Sequence, residues 1–317
     1  MSALLERLGI ELPVVQAGMG GGLACHELAA AVSEAGGLGT IGTLPPRALA
    51  RELVAARART GRPIAVNLIQ PLVGRRHWEI AASADVIFTH WGRPQRRAAG
   101  AWIHQCGSVT EARAAHAAGA DAVIAQGREA GGHTRAGLPA RELLERVRAE
   151  LPASYPVLVA GSLADAGDVR AALDAGAAAA VLGTRFLMTE ESRAHAGYKT
   201  RLVEGSETLL TELFGFGWPA PHRVLPNAAT RRWLGADQSC PLGIRLLNRI
   251  SGPLGRLPLP GSPPAQRVGL PFLTPYSVTE DRPASQVEAG ALYAGDTVAR
   301  ITDIRAAGPL THALAQA

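Results

Sequence analysis

Eight short apolar runs dominate the first 184 residues, and each gives way to a segment of polar or helical character. The runs cover residues 13–17, 38–42, 63–69, 85–89, 101–105, 121–126, 156–160 and 179–183. Helical spacing recurs between them at 25–35, 46–60, 109–118, 140–151 and 166–175. The runs are continuously apolar rather than alternating, as strands covered on both faces are. Eight sequential βα units predict an α/β fold, a (β/α)8 TIM barrel.

Two of the units resemble each other. Arg113 precedes Gly119 by six residues and Arg170 precedes Gly176 by six, each inside an alanine-rich stretch. Both glycines stand where a helix closes in a left-handed conformation before the next strand.

The pattern changes after Thr184. Residues 190–204 have helical character, and 206–275 are rich in proline, glycine and arginine. Within that stretch, 258–264 can form neither helix nor central strand. Residues 284–294 and 301–315 again have helical character. The expected organisation is a barrel body over 1–205, with a smaller inserted segment after the eighth strand. That segment, 206–283, crosses the barrel mouth without enough periodic apolar positions for a core of its own. Helices in 284–317 close the ring.

Composition narrows the chemistry. Lys199 is the only lysine, and arginine supplies the other 31 of the 32 basic side chains. Arginine stays protonated and cannot act as an amine nucleophile. Schiff-base and pyridoxal-phosphate chemistry therefore fall to Lys199 or are excluded, and no G-x-x-x-x-G-K-[ST] stretch forms a P-loop. With 47% hydrophobic and 19% charged residues the chain can fill a core, which argues against disorder.

The three cysteines, Cys25, Cys106 and Cys240, form no C-x-x-C pair, which suits a reducing compartment. No apolar run approaches the ~18 residues of a membrane span, and the first residues lack the apolar stretch of a signal peptide. A cytoplasmic location with no membrane partner is the expectation. The net charge is +5, and Arg75/Arg76 and Arg96/Arg97 are pairs rather than runs. They read as solvated faces, not as a nucleic-acid site.

Unusual stretches fall at the C-terminal ends of the runs, where barrel chemistry sits. Gln16-Ala17-Gly18-Met19 opens a glycine-rich loop after the first run. Leu23 holds the third glycine position of G-x-G-x-x-G, and no acidic residue ends the second run, so the dinucleotide fingerprint fails. The glycines either let backbone approach a flat ring or form a plain flexible turn. Asn67 lies near the end of the third run, and its amide, if buried, needs a partner, either a ligand or a neighbouring strand end.

After the sixth run, Gly127, Gly131, Gly132 and Gly137 surround His133. An imidazole in such a loop suits a general base. Metal binding is disfavoured, because no second ligand stands at H-x-x-E-H spacing. The seventh run ends in Ala160-Gly161-Ser162 and the eighth in Gly183-Thr184. Backbone N–H groups after these two strands form the usual barrel phosphate site. Together these five ends imply a flat, phosphate-bearing cofactor, and flavin mononucleotide (FMN) fits those dimensions.

Gln16-Ala17-Gly18-Met19, Asn67, Glu129-Ala130-Gly131-Gly132-His133, Ala160-Gly161-Ser162, Gly183-Thr184-Arg185-Phe186 and Tyr293-Ala294-Gly295-Asp296 together resemble the nitronate monooxygenase family, over about residues 5–315. The resemblance implies an FMN-binding TIM barrel that oxidises alkyl nitronates with dioxygen to a carbonyl compound and nitrite. By motif, His133 would be the catalytic base or would orient substrate. Gly18 and Met19 would line the flavin ring, Asn67 would contact it, and Gly131 and Gly132 would pack on it. Ala160, Gly161, Ser162, Gly183 and Thr184 would hold the phosphate. Gln105 stands where some members place a flavin-site lysine, and Gly18 where many have proline.

The E-A-G-G-H stretch is similar also to flavin-dependent enoyl-acyl-carrier-protein reductases. An NAD(P)H-dependent reductase of enones, quinones or enoyl thioesters is therefore the alternative, and use of NAD(P)H and a homodimer both stay open. A barrel that only binds a phosphorylated ligand is a third reading. Cys106 follows the fifth run without a glycine loop and reads as buried packing. The stretch 211–233, with Phe214, Phe216, Trp218 and His222, either lines the substrate side or forms a core for the excursion.

Overall fold

The computed structural model describes residues 3–97, 99–256 and 266–316. The expectation for 258–264 lies outside them. Eight parallel strands form the central sheet: β1 Val14–Gln16, β2 Gly39–Ile41, β3 Ile64–Ile69, β4 Val86–His90, β5 Ala101–Cys106, β6 Ala122–Gln126, β7 Val157–Ala160 and β8 Ala180–Leu182. Their spatial order follows the chain, and β8 pairs with β1. Leu38, just before β2, bridges Val15, and its carbonyl accepts from Gln16 N–H at 3.0 Å. The sheet thus curls into a nearly closed TIM barrel, as predicted from the eight runs.

Side chains alternate between the two faces of each strand. One set meets at the barrel axis, where Val15, Ala65, Phe88, Ile103, Ile124, Leu158 and Val181 form one cluster. Leu4 and Leu5, from the N-terminal helix Ala3–Arg7, join this cluster. The other set packs under the helices, as Trp102, Val123 and Val157 do with Leu143 and Val147 of helix Ala140–Glu150. Gly119 and Gly176 close their helices at φ of 82° and 89°, as the repeated units predict.

Three helical expectations need correction. The helix expected over 190–204 is Ala196–Val203, because Thr189 and Ala194 instead bridge Arg305 and Thr279. That expected over 284–294 is only Ser285–Ala289. Beyond it Ala291 and Tyr293 bridge Ser277 and Val224, so the chain runs extended. That expected over 301–315 is Ala307–Ala315, because Asp303 and Arg305 are tied to the barrel through Arg185 and Met188.

The stretch after the barrel is also more ordered than its composition suggests. It contains strands Leu209–Thr211 and His222–Val224 and helices Ala228–Trp233 and Leu242–Ser251. Leu213, Phe214, Val224, Ala229, Ile244, Leu273 and Ala291 bury one another in a small core. Periodicity could not reveal that core, because its members come from separate short elements. Among the described residues no helix is long and apolar enough to cross a membrane.

Candidate active site

Alternation along the strands decides what faces the barrel mouth. Ala65 is at the axis, so Asn67 two residues on also points inward; likewise Phe88 leads to His90, Ile103 to Gln105 and Ile124 to Gln126. The last inward residue of β4, β5 and β6 is therefore polar, and Asn67 stands one inward position before the end of β3. Asn67 donates from Nδ2 to the Gly18 carbonyl at 3.1 Å, so the neighbouring strand end supplies a partner. The two loops touch so closely that a Cβ on Gly18 would lie 2.3 Å from Asn67 Cβ, which explains glycine here in place of proline. Met19 packs outward against the Leu187–Met188 and Leu182–Phe186 clusters. Gln105 Nε2 lies 3.3 and 3.4 Å from the two ring nitrogens of His90.

The His133 loop is held on both sides. Gly132–His133 forms a short strand antiparallel to His222–Val224, with His133 opposite His222, and Leu209–Thr211 completes this small sheet. On the other side a Cβ on Gly131 would fall 2.6 Å from Gly295 N, in the Tyr293–Asp296 turn. Gly295 N–H in turn donates to Thr184 Oγ1 at 2.9 Å. Glu129 accepts from Ala140 N–H at 2.7 Å and so caps helix Ala140–Glu150. The glutamate of the E-A-G-G-H stretch thus anchors the loop, while its histidine is left facing the mouth.

His133 lies in an aromatic setting. Its ring stacks on Trp218 with centroids 4.0 Å apart, and is tilted against His222 at 5.1 Å and Tyr293 at 5.4 Å. Trp218 also meets Trp91 edge-on at 5.4 Å. Trp91 is held at φ 64°, a strained conformation for a bulky residue. Burial lowers three imidazole pKa values here: His90 to about 3, His222 to about 4, and His133 well below the ordinary value. The neighbouring imidazoles His222 and His90 add to the effect on His133. His133 Nε2 is shielded from solvent and has no hydrogen-bond partner; Gln126 Oε1 is in the same state. His222, by contrast, is saturated: Nδ1 bonds the Ala220 carbonyl and Nε2 accepts from Phe214 N–H.

The expected phosphate residues lie on adjacent strands. Ala160 in β7 is opposite Val181 in β8, followed by Gly161-Ser162 and Gly183-Thr184. Gly161 and Ser162 have φ of 113° and 57°, and Thr184 opens a short helical turn. Because Thr184 Oγ1 accepts from Gly295, its own proton is available to donate. Arg185, the third residue of that motif, turns away and bonds Asp303 and the Met188 carbonyl. Cys106 is fully buried in the helix layer, as expected, and burial raises its pKa. Lys199 stands apart, its Nζ donating to the Thr189 carbonyl at 2.6 Å.

Of the residues that could line the mouth, Trp218 and His222 reach His133, whereas Phe214 belongs to the small core and Phe216 pairs with Phe272. Sequence reasoning missed His90, Trp91 and Gln126 as site residues. The available clue was strand parity: His90 follows Val86 and Phe88 at spacing two.

The sequence model of the nitronate monooxygenase family matches residues 1–91 and 80–316. The nitronate monooxygenase of Pseudomonas aeruginosa is 34% identical over 280 residues, covering 69% of this chain and 78% of that protein. A Mycobacterium tuberculosis protein named as a 5-hydroxy-7a-methyl-1-oxo-octahydro-1H-indene-4-carboxyl-CoA dehydrogenase is 34% identical over 236 residues. That match covers 70% of this chain and 65% of the mycobacterial protein's length.

Among solved structures, FabK from Thermotoga maritima superposes with a TM-score of 0.78 at 28% identity, covering 100% of this chain and 95% of that one. The nitroalkane oxidase of Streptomyces ansochromogenes gives 0.75 at 30% identity, with 99% and 97% covered. The match of sequence, barrel and loop motifs is consistent throughout, and the chain is an oxidoreductase that belongs to the nitronate monooxygenase family.

Proposed function

We propose that this enzyme binds FMN at the barrel mouth and oxidises alkyl nitronates with dioxygen, giving a carbonyl compound and nitrite. The observation that carries the reading is His133, a neutral imidazole with a shielded, unpartnered Nε2 in an aromatic pocket. The mouth fits a flavin on several counts. Two buried polar atoms, His133 Nε2 and Gln126 Oε1, await partners. Gly132 has open space beside it. The left-handed backbone at Gly161 and Ser162 can turn successive N–H groups toward an anion. Thr184 would add a hydroxyl donor to the phosphate.

When bound, FMN supplies the redox chemistry as an electron acceptor that dioxygen re-oxidises. The protein's share is binding and proton handling. Neutral His133 is able to take a proton from a nitroalkane carbon or, as the Nε2–H tautomer, to donate to a nitro oxygen. Trp218 and Tyr293 would keep water from the reacting carbon.

The test is oxygen uptake with a nitronate and no NAD(P)H. His133→Asn should lower kcat/KM by about a hundredfold, as removal of a positioned acid or base does. Turnover equal to wild type would remove His133 from the reaction. A second reading, NAD(P)H-dependent reduction of an enone, quinone or acyl thioester, draws support from the relative named as a carboxyl-CoA dehydrogenase.

A further inference from the structure

One face of helix Leu242–Ser251 is fastened to the rest of the insertion. Ile244 enters the small core, Asn248 Nδ2 donates to the Glu212 carbonyl at 2.8 Å, and Ser251 Oγ accepts from Gly217 N–H at 2.8 Å. These three positions are buried and fall at helical spacing, so they mark a single stripe. A helix on a protein surface turns its polar side chains the other way. Here the opposite stripe is Leu242, Leu246 and Ile250, which are 79%, 59% and 68% exposed, and Leu254 stands 50% exposed just beyond the helix. A helix apolar on both faces is one that something covers.

The apolar surface extends past the helix. Gly217 N–H bonds Ser251, and its neighbour Phe216 donates its N–H to the Leu273 carbonyl at 3.0 Å, which holds the loop at 267–273 beside the helix end. Leu270 and Phe272 in that loop are about half exposed. Among the described residues ten large apolar side chains are exposed, and six of them lie between Leu242 and Phe272. Such clustering marks a surface made to meet something.

The charge of this region has one sign. From Gln238 to Thr279 the chain has no Asp or Glu, while arginine stands at 245, 249, 256 and 267. Arg245 pairs with Glu212 at 3.0 Å at the helix edge. Arg249 is exposed on the same flank of the leucine stripe, one turn further on. The face therefore asks for an occupant that is apolar and anionic. A second copy does not complement it. Antiparallel helices meeting about a twofold axis would set one arginine flank against the other, with no carboxylate in the stretch to offset them. Protein partners are held mainly through Trp, Tyr and Arg anchors, whereas this stripe is leucine and isoleucine alone. Aliphatic side chains flanked by arginine suit acyl chains below a layer of phosphates.

We propose that this face docks on an anionic membrane surface. Helix Leu242–Ser251 lies in the plane of the head groups, with Leu242, Leu246 and Ile250 in the acyl layer and Arg249 at the lipid phosphates. The contact is peripheral, departs from the expectation of no membrane partner, and does not depend on nitronate chemistry.

Sedimentation of the holoenzyme with lipid vesicles tests this. Vesicles of mixed phosphatidylglycerol and phosphatidylcholine should carry the protein down, and phosphatidylcholine alone should bind it about tenfold more weakly. Added salt should weaken the anionic contact. Leu246→Glu combined with Ile250→Glu should abolish binding, and Arg249→Gln should weaken it about fivefold. Both stripe positions face solvent, so the thermal midpoint of the double variant should match wild type. The proposal is overturned if anionic vesicles leave the protein in solution, or if these substitutions leave its sedimentation unchanged. A dimer seen by analytical ultracentrifugation and dissolved by the double substitution, without vesicle binding, would also overturn it and give the face to a second copy.

Discussion

The imidazole of His133 lies almost flat on the indole of Trp218, with planes 26° apart. The two residues are 85 positions apart in a chain where His133 belongs to a βα loop and Trp218 to the segment inserted after the barrel. Pairing between Gly132–His133 and His222–Val224 brings them together. The insertion therefore completes the histidine's surroundings instead of merely covering the barrel.

Trp218→Ala should expose the histidine. In wild type, His133 titrates well below its ordinary value because it is buried. It stays neutral, and kcat/KM carries no acid limb from this group near neutrality. Opening the site raises its pKa toward the usual value of about 6.5. The variant should then lose activity as pH falls through about 6.5. At higher pH it should lose about tenfold, the worth of one aromatic pair. A pH profile of kcat/KM checks both; parallel profiles would show that Trp218 does not shield His133.

Gln105→Lys tests the electrostatics of the proposed flavin site. Gln105 points to the barrel axis beside His90, and burial keeps His90 uncharged. A neutral amide there does nothing to favour an anionic reduced ring. Lysine would favour it, so the flavin potential should rise in the variant. Spectroelectrochemical titration measures this, and an unchanged potential would place Gln105 away from the ring.

Arg185 should matter for stability. Its guanidinium is buried and ties the loop at Asp303 to the barrel. Arg185→Met leaves the Asp303 carbonyl without its donor, removes a second bond to the Met188 carbonyl, and should cost about 2 kcal/mol in urea unfolding. Asp303 is about half exposed, so Asp303→Asn should cost less than about 1 kcal/mol. Arg185 holds the Asp303 carboxyl below its usual range. That contribution is present above about pH 4, the unfolded carboxylate value. It is lost as pH falls through the lower folded value. The difference between wild type and Asp303→Asn should shrink accordingly in acid; a constant difference would contradict the ion pair.

The barrel was legible because burial on both faces forces continuous apolar runs, and helical spacing lies between many of them. The loop motifs were legible because glycine at Gly18 and Gly131 answers a backbone approach that no Cβ allows. The insertion was not. Its strands are three residues long and take their order from pairing with His133, a contact between distant segments. His90 escaped notice for a related reason. It stands one residue beyond the predicted end of its run, and only strand parity shows that it faces inward.

The central claim is that nitronate itself reduces the bound flavin. Anaerobic mixing of the holoenzyme, first with a nitronate and then with NADPH, reads this in the flavin's visible absorption. The account predicts that the absorption changes on nitronate alone and recovers when oxygen is admitted. An absorption that ignores nitronate and bleaches with NADPH would contradict it and establish the reductase reading instead.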